Sequence, residues 1–216
     1  MEPSPRKAKQ MTSSNLRADS QTVLVADASV VINLNATLCA AEILRALSVR
    51  LVVTDNACVE LSAGARNGHR DAEALEILFG LGLAHQVTLL DAGLKVYESL
   101  IDGTTLATLD DGEAATIGYA VQTGSAALID ERKARSICAN SFPALVVVST
   151  VDLLLHDHVV AKLGSARQAE ALMNALTGAR MRVPPEHLTA VTKMIGTERA
   201  AMCFSLPLSA RRSSDR

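Results

Sequence analysis

Apolar and polar positions divide the chain into short buried runs and longer amphipathic stretches. Residues 22–26 are an apolar, β-rich run that ends at Asp27, which predicts a buried first strand. A helix is expected from about Leu38 to Leu47, with Ala40, Ile43, Leu44 and Leu47 on one face. Residues 50–53 predict a second strand, followed by a helix capped by Thr54 or Asp55 and carrying Cys58, Val59 and Leu61. Further helices are expected over about 71–81, 92–101, 111–122 and 131–139, and further strands over 86–90, 126–129 and 144–148. Strands that alternate with helices from 22 to 148 predict a parallel sheet with right-handed crossovers. After Ser149 the pattern is helical only, at about 151–163, 166–177 and 186–202, broken by Gly164 and Pro184-Pro185.

This divides the chain into an arm at 1–21, expected to be disordered, an α/β domain at 22–149, a helical extension at 150–204 packed on it, and a disordered tail at 205–216. The core must be aliphatic, because Trp is absent and Phe and Tyr number 3 and 2. That suits a parallel sheet covered on both faces. The formal net charge of −2 gives no general attraction for nucleic acid, so such binding must come from local basic patches or bound cations. Cys39, Cys58, Cys138 and Cys203 form no Cys-x-x-Cys pair and read as reduced thiols of a cytoplasmic protein. No apolar run is long enough to span a bilayer. Neither a phosphate-binding Gly-rich fingerprint nor a P-loop Lys follows the first strand, which argues against a nucleotide cofactor.

The chemistry lies in the acids. Asp27 and Asp130 each directly follow an apolar run, and ligands of open α/β sheets bind outside the carboxyl ends of the strands. Two carboxylates converging there repel unless a hard divalent cation relieves them. Asp111 and Glu113 open a helix, where a cap or capping box is the plainer role. Glu60 sits among apolar neighbours and is either turned inward or a surface acid. Asn33 is a hydrogen-bond donor for a ligating acid or a substrate, or a turn residue. Arg132, Lys133 and Arg135 follow Asp130 and are either phosphate contacts or a solvated helix face, as are Arg66, His69 and Arg70.

Four segments in order, Val25–Leu34 around Asp27, Val59-Glu60-Leu61, Asp110–Ala120 with its Gly112-Glu113-Ala114, and Leu128–Arg135 around Asp130, resemble the PIN-domain family. Within it the chain is similar to the VapC-type toxins and to a Gly-Glu-Ala variant. The resemblance implies a three-layer α/β/α fold with a central parallel sheet, here with a C-terminal helical extension. It also implies a metal-dependent endoribonuclease. By position, Asp27, Glu60 and Asp130, with Asp111 or Glu113 as the third acid of the motif, would hold Mg²⁺ or Mn²⁺. Asn33, Arg132, Lys133 and Arg135 are the expected substrate contacts. RNA is the implied substrate, and a small antitoxin and a second copy of the chain are the expected partners. A PIN-like module that binds RNA or protein without cutting is the alternative.

Overall fold

The computed structural model describes residues 22–102 and 108–211. The expected arm at 1–21 and the last residues of the tail lie outside them. Five parallel strands, β1 (Thr22–Ala26), β2 (Val49–Thr54), β3 (Ala84–Val87), β4 (Ala126–Leu128) and β5 (Val147–Val148), build one sheet in the order β3-β2-β1-β4-β5. The chain winds outward from β1 on one side, then crosses back to lay β4 against β1 on the other. The boundary between β1 and β4 is therefore the switch point of the sheet, where a crevice opens at the strand ends. Ala26 pairs with Leu128 across that boundary, so Asp27 and Asp130 leave the sheet close together.

Helices α1 (Ala28–Ala36), α2 (Ala40–Leu47), α3 (Asp55–Ala65) and α4 (Asp71–Gly80) cover one face. Helices α5 (Asp91–Ile101), α6 (Asp111–Thr123) and α7 (Arg132–Ser141) cover the other. Side chains alternate across each strand, as the pleat requires. Leu24, Ala26, Leu51 and Val53 enter the first apolar layer, whereas Val25 and Val52 enter the second with Leu100, Ile117 and Cys138. This is a three-layer α/β/α architecture. The four cysteines are free, and three of them are buried.

The chain continues through α8 (Thr150–Leu154), α9 (Asp157–Leu163), α10 (Ser165–Gly178), a 3-10 turn at Pro185–His187, α11 (Leu188–Ile195), α12 (Thr197–Met202) and α13 (Leu208–Arg211). Val151, Leu172, Leu176 and Val191 lie in the same apolar layer as Leu24 and Leu51, so these helices complete the first face of the sheet. The tail expected to be disordered from 205 is ordered as far as 211. Leu206 is buried in the first layer, and Leu208–Arg211 is helical.

Other expectations need correction. Residues 28–36 form a helix that β-branched Val30, Val31 and Ile32 conceal, because burial of its apolar face outweighs propensity. The third strand sits at 84–87 rather than 86–90, and the fifth shrinks from 144–148 to two residues because Pro143 and Ala144 belong to a turn. The expected helix at 151–163 breaks where His156 caps α9, and that at 186–202 breaks at Gly196. No single helix among the described residues is long and apolar enough to cross a membrane.

Helices α5 and α6 meet at two glycines. A Cβ on Gly118 would stand 2.5 Å from the Gly93 carbonyl oxygen and 3.0 Å from Leu89 Cδ2. This close approach fixes how α6, with its acids, lies on the sheet. Gly118→Ala is expected to destabilise the protein by about 1–3 kcal/mol through overpacking. Urea unfolding would show a lower midpoint at unchanged slope, and an unchanged midpoint would refute the tight crossing.

Candidate functional site

Asp27 is the N-cap of α1. Its Oδ1 accepts a hydrogen bond from Val30 N at 2.9 Å, and Ser29 hydrogen-bonds the same carboxylate. The cap role and the strand-end role therefore coincide in one residue. Asp27 is 2% exposed. Burial pushes its carboxyl up to about 6, helped by the charges of Asp130 and Glu60 and opposed by its hydrogen bonds.

Asp130 is buried at the exit of β4. It does not cap the next helix, because Glu131 does so by accepting from Lys133 N at 3.1 Å. Asp130 is thereby free to take three hydrogen bonds. Thr150 N donates to its Oδ1 at 2.7 Å, Thr150 Oγ1 to its Oδ2 at 2.6 Å, and Asn33 Nδ2 to its Oδ2 at 2.7 Å. A carboxylate offers about four lone pairs, so one on Oδ1 remains. Burial raises this carboxyl and outweighs the hydrogen bonds and the Arg135 charge that lower it. Asn33 thus reaches an acid of the site. Thr150, which sequence reasoning did not single out, is its principal holder. It lies 20 residues beyond Asp130 and meets it only because β5 lies beside β4.

The two acids of the Asp111-Gly112-Glu113 motif part company. Asp111 is exposed and accepts from the Tyr97 hydroxyl at 2.6 Å and from Asn56 Nδ2 at 3.3 Å, towards α5 and α3. Glu113 is half-buried and takes the Asp110 backbone N–H, which is half of a capping box. Burial pushes Glu113 up to about 7, with the charges of Asp27, Asp110 and Glu131 adding to it. Glu60 is exposed, and its carboxyl is raised by desolvation and then by Asp110 and Asp111. A Cβ on Gly112 would stand 2.7 Å from Glu60 Oε2, so the absent side chain lets the α3 acid lie against the start of α6. Asp110, unassigned from the sequence, carries charge felt by both Glu60 and Glu113.

The charges of Asp130 and Glu60 raise the Asp27 carboxyl, and that of Asp27 raises Glu113, so these acids act on one another's protonation around the switch point. Among the described residues no three His, Cys, Asp or Glu side chains stand close enough to hold one ion together. The donor set itself suits a hard divalent cation: all oxygen and acidic, with its carboxyls raised first by burial and then by one another's charge. Of the expected substrate contacts, Arg135 is engaged inward, donating to the Ile129 carbonyl at 3.2 Å and to Glu186 at 3.4 Å. Lys133 donates to the Thr108 carbonyl, and Arg132 is exposed at the start of α7. A groove of about 620 Å³ leads away from Glu60 past Asn35, Asn67, His69 and Arg70. Arg70 there pairs with Glu73.

A family model described as DUF3368: PIN domain matches residues 23–197. The matched span takes in α8 to α11 as well as the sheet. Comparison with curated proteins and with solved structures gives no match.

A folded-state carboxyl raised above its ordinary value binds its proton more tightly than the unfolded chain does. Its stabilising share is full below about pH 4 and is lost as pH rises to about 6 for Asp27 and about 7 for Glu113. Asp27→Asn keeps a good cap and removes the charge. Without divalent cations the variant should match the parent at pH 4 and exceed it at pH 8 by up to about 3 kcal/mol. Urea unfolding of both proteins at the two pH values is the measurement, and equal stability at pH 8 would contradict the assigned burial cost.

Proposed function

Because the chain belongs to the PIN-domain family, whose fold is that of nucleases, we propose that it is a Mg²⁺- or Mn²⁺-dependent endoribonuclease. The observation that carries this reading is the pair of buried acids, Asp27 and Asp130, at adjacent strand ends, with Glu113 coupled to Asp27 and no base among the described residues that lowers Asp27. A carboxylate set of this kind costs folding free energy and is retained where a cation is needed.

Asp27, Asp130 and Glu113 would hold the ion after drawing closer together than they stand here, and Glu60 would orient a water towards the phosphate. Glu113 is preferred to Asp111 for the third acid because Tyr97 and Asn56 engage Asp111. A divalent ion there supplies a water of lowered pKa and charge relief at the phosphate. Asn33 and Thr150 keep the Asp130 carboxylate oriented and offset part of the burial that favours its protonated form. Arg132, exposed at the start of α7, would meet the RNA backbone, whereas Arg135 is engaged within the protein. We assign the nuclease to the toxin class acting in the cytoplasm, with a small antitoxin covering the acidic hollow. Growth arrest on expression, relieved by a co-expressed antitoxin and absent for Asp27→Asn, would bear this out.

One observation favours the second reading, a module that binds RNA or protein without cutting. The Asp130 carboxylate spends most of its lone pairs on Thr150 and Asn33, as a purely structural acid would.

The two readings separate on one experiment. RNA is incubated with the protein and Mg²⁺ or Mn²⁺, and cation binding is followed by calorimetry. The nuclease reading expects cleavage that chelator abolishes, and losses of at least about a hundredfold in Asp27→Asn and Asp130→Asn. Variants that cleave as fast as the parent would overturn it, and carboxylate-independent behaviour throughout would favour the inert module.

A further inference from the structure

The segment Arg182–His187 lies outside the acid set but is tied to the strand end that carries Asp130. Arg182 Nη1 donates to Glu131 Oε1 at 3.1 Å. Glu186 Oε1 accepts from Arg135 Nη2, and the other nitrogen of that guanidinium holds the Ile129 carbonyl at 3.2 Å. The residues on both sides of Asp130 are thus linked to one strap. Both outer links are exposed ion pairs, which contribute little by themselves.

The inner link differs. His187 Nε2 meets Asp152 Oδ1 at 2.7 Å, with the two side chains 20% and 31% exposed. The other oxygen, Asp152 Oδ2, accepts from Ser149 N at 2.8 Å and Ser149 Oγ at 2.6 Å. Asp152 N in turn donates to Ser149 Oγ, closing a capping box at the start of α8. Ser149 is the N-cap and Thr150 the first helical residue, and both are fully buried. Thr150 then spends its backbone N–H and its hydroxyl on the two oxygens of Asp130. The connection runs from His187 through the Asp152–Ser149 cap to Thr150 and ends on the carboxylate.

We propose that His187 is a positioning residue of the nuclease site, holding through Asp152 and the α8 cap the Thr150 donors that orient Asp130 for its cation. This rests on the reading of Asp130 as a cation-holding acid. The strap, a turn far along the chain, thereby becomes part of the site's supporting structure. Outer partners of this kind fix the orientation of the groups that touch the ion, and losing one weakens the ion's hold. His187→Gln keeps a donor for Asp152, whereas His187→Ala removes it. Asp152→Asn weakens the same link while keeping the side chain's size.

The test uses the full chain, with Arg199→Ala as a control. That change breaks the Arg199–Glu170 pair elsewhere among the C-terminal helices. Amide exchange at Thr150 is measured in metal-free protein, Mn²⁺ affinity by calorimetry, and RNA cleavage as kcat and KM. His187→Ala and Asp152→Asn should each speed Thr150 exchange and weaken Mn²⁺ binding by about tenfold or more. Cleavage should lose kcat, with KM for RNA within about twofold. His187→Gln should recover most of the affinity, and Arg199→Ala should change none of the three. Thr150 exchange unchanged in both His187→Ala and Asp152→Asn overturns the proposal, as does unchanged Mn²⁺ affinity in a protein whose parent binds Mn²⁺. A parent that binds no Mn²⁺ defeats the nuclease reading instead, and Thr150 exchange then decides alone whether the strap supports Asp130.

Discussion

Two carboxylates lie almost out of water at the ends of neighbouring parallel strands, and much of the molecule is arranged around that. Asp27 and Asp130 each raise the cost of the other's charge, and Glu60 and Glu113 add to it. The fold brings them together because the strand order reverses between β1 and β4. It tolerates them in two ways. Asp27 is stabilised by the start of α1, where backbone N–H groups and the helix dipole favour negative charge. Asp130 is stabilised by donors collected from α1 and α8, elements on one face of the sheet.

These devices keep the acids in place without neutralising them. Glu113 pushed up to about 7 shows how little compensation the hollow contains. The acids on its rim are pinned by local bonds instead, Asp111 by Tyr97 and Glu131 by Arg182. Two of the positive groups nearby are turned to internal acceptors, and Arg132 is exposed. Arg135 serves Ile129 and Glu186, and Lys133 serves Thr108. The field at the mouth therefore stays negative.

The acids at strand ends were legible because Asp27 and Asp130 each stop an apolar run, and a charge so close to a buried strand needs a compensating partner. The sheet and most helices followed from the same alternation. What stayed hidden depends on contacts distant in sequence. Helix α1 was obscured by its β-branched residues, and only burial under α10 and α4 reveals it. The choice between Asp111 and Glu113 depends on how α6 is rotated, which the Gly93–Gly118 crossing sets. Thr150 looks like an ordinary helix-start residue until the β4–β5 pairing brings it to Asp130, and so does His187 until it meets Asp152. Arg135 resembled a phosphate contact because its inward partners, a carbonyl and Glu186, leave no mark on the local pattern.

The first strand and the last helices share one apolar layer, with Leu24 at one end of the chain order and Leu206 near the other. During synthesis β1 precedes the helices from α8 onward that help seal one of its faces. Thr150, the principal holder of Asp130, likewise follows all the acids in order of translation. A growing chain therefore carries the acids before it can hold them rigidly, and the site is complete only once α8 has followed them.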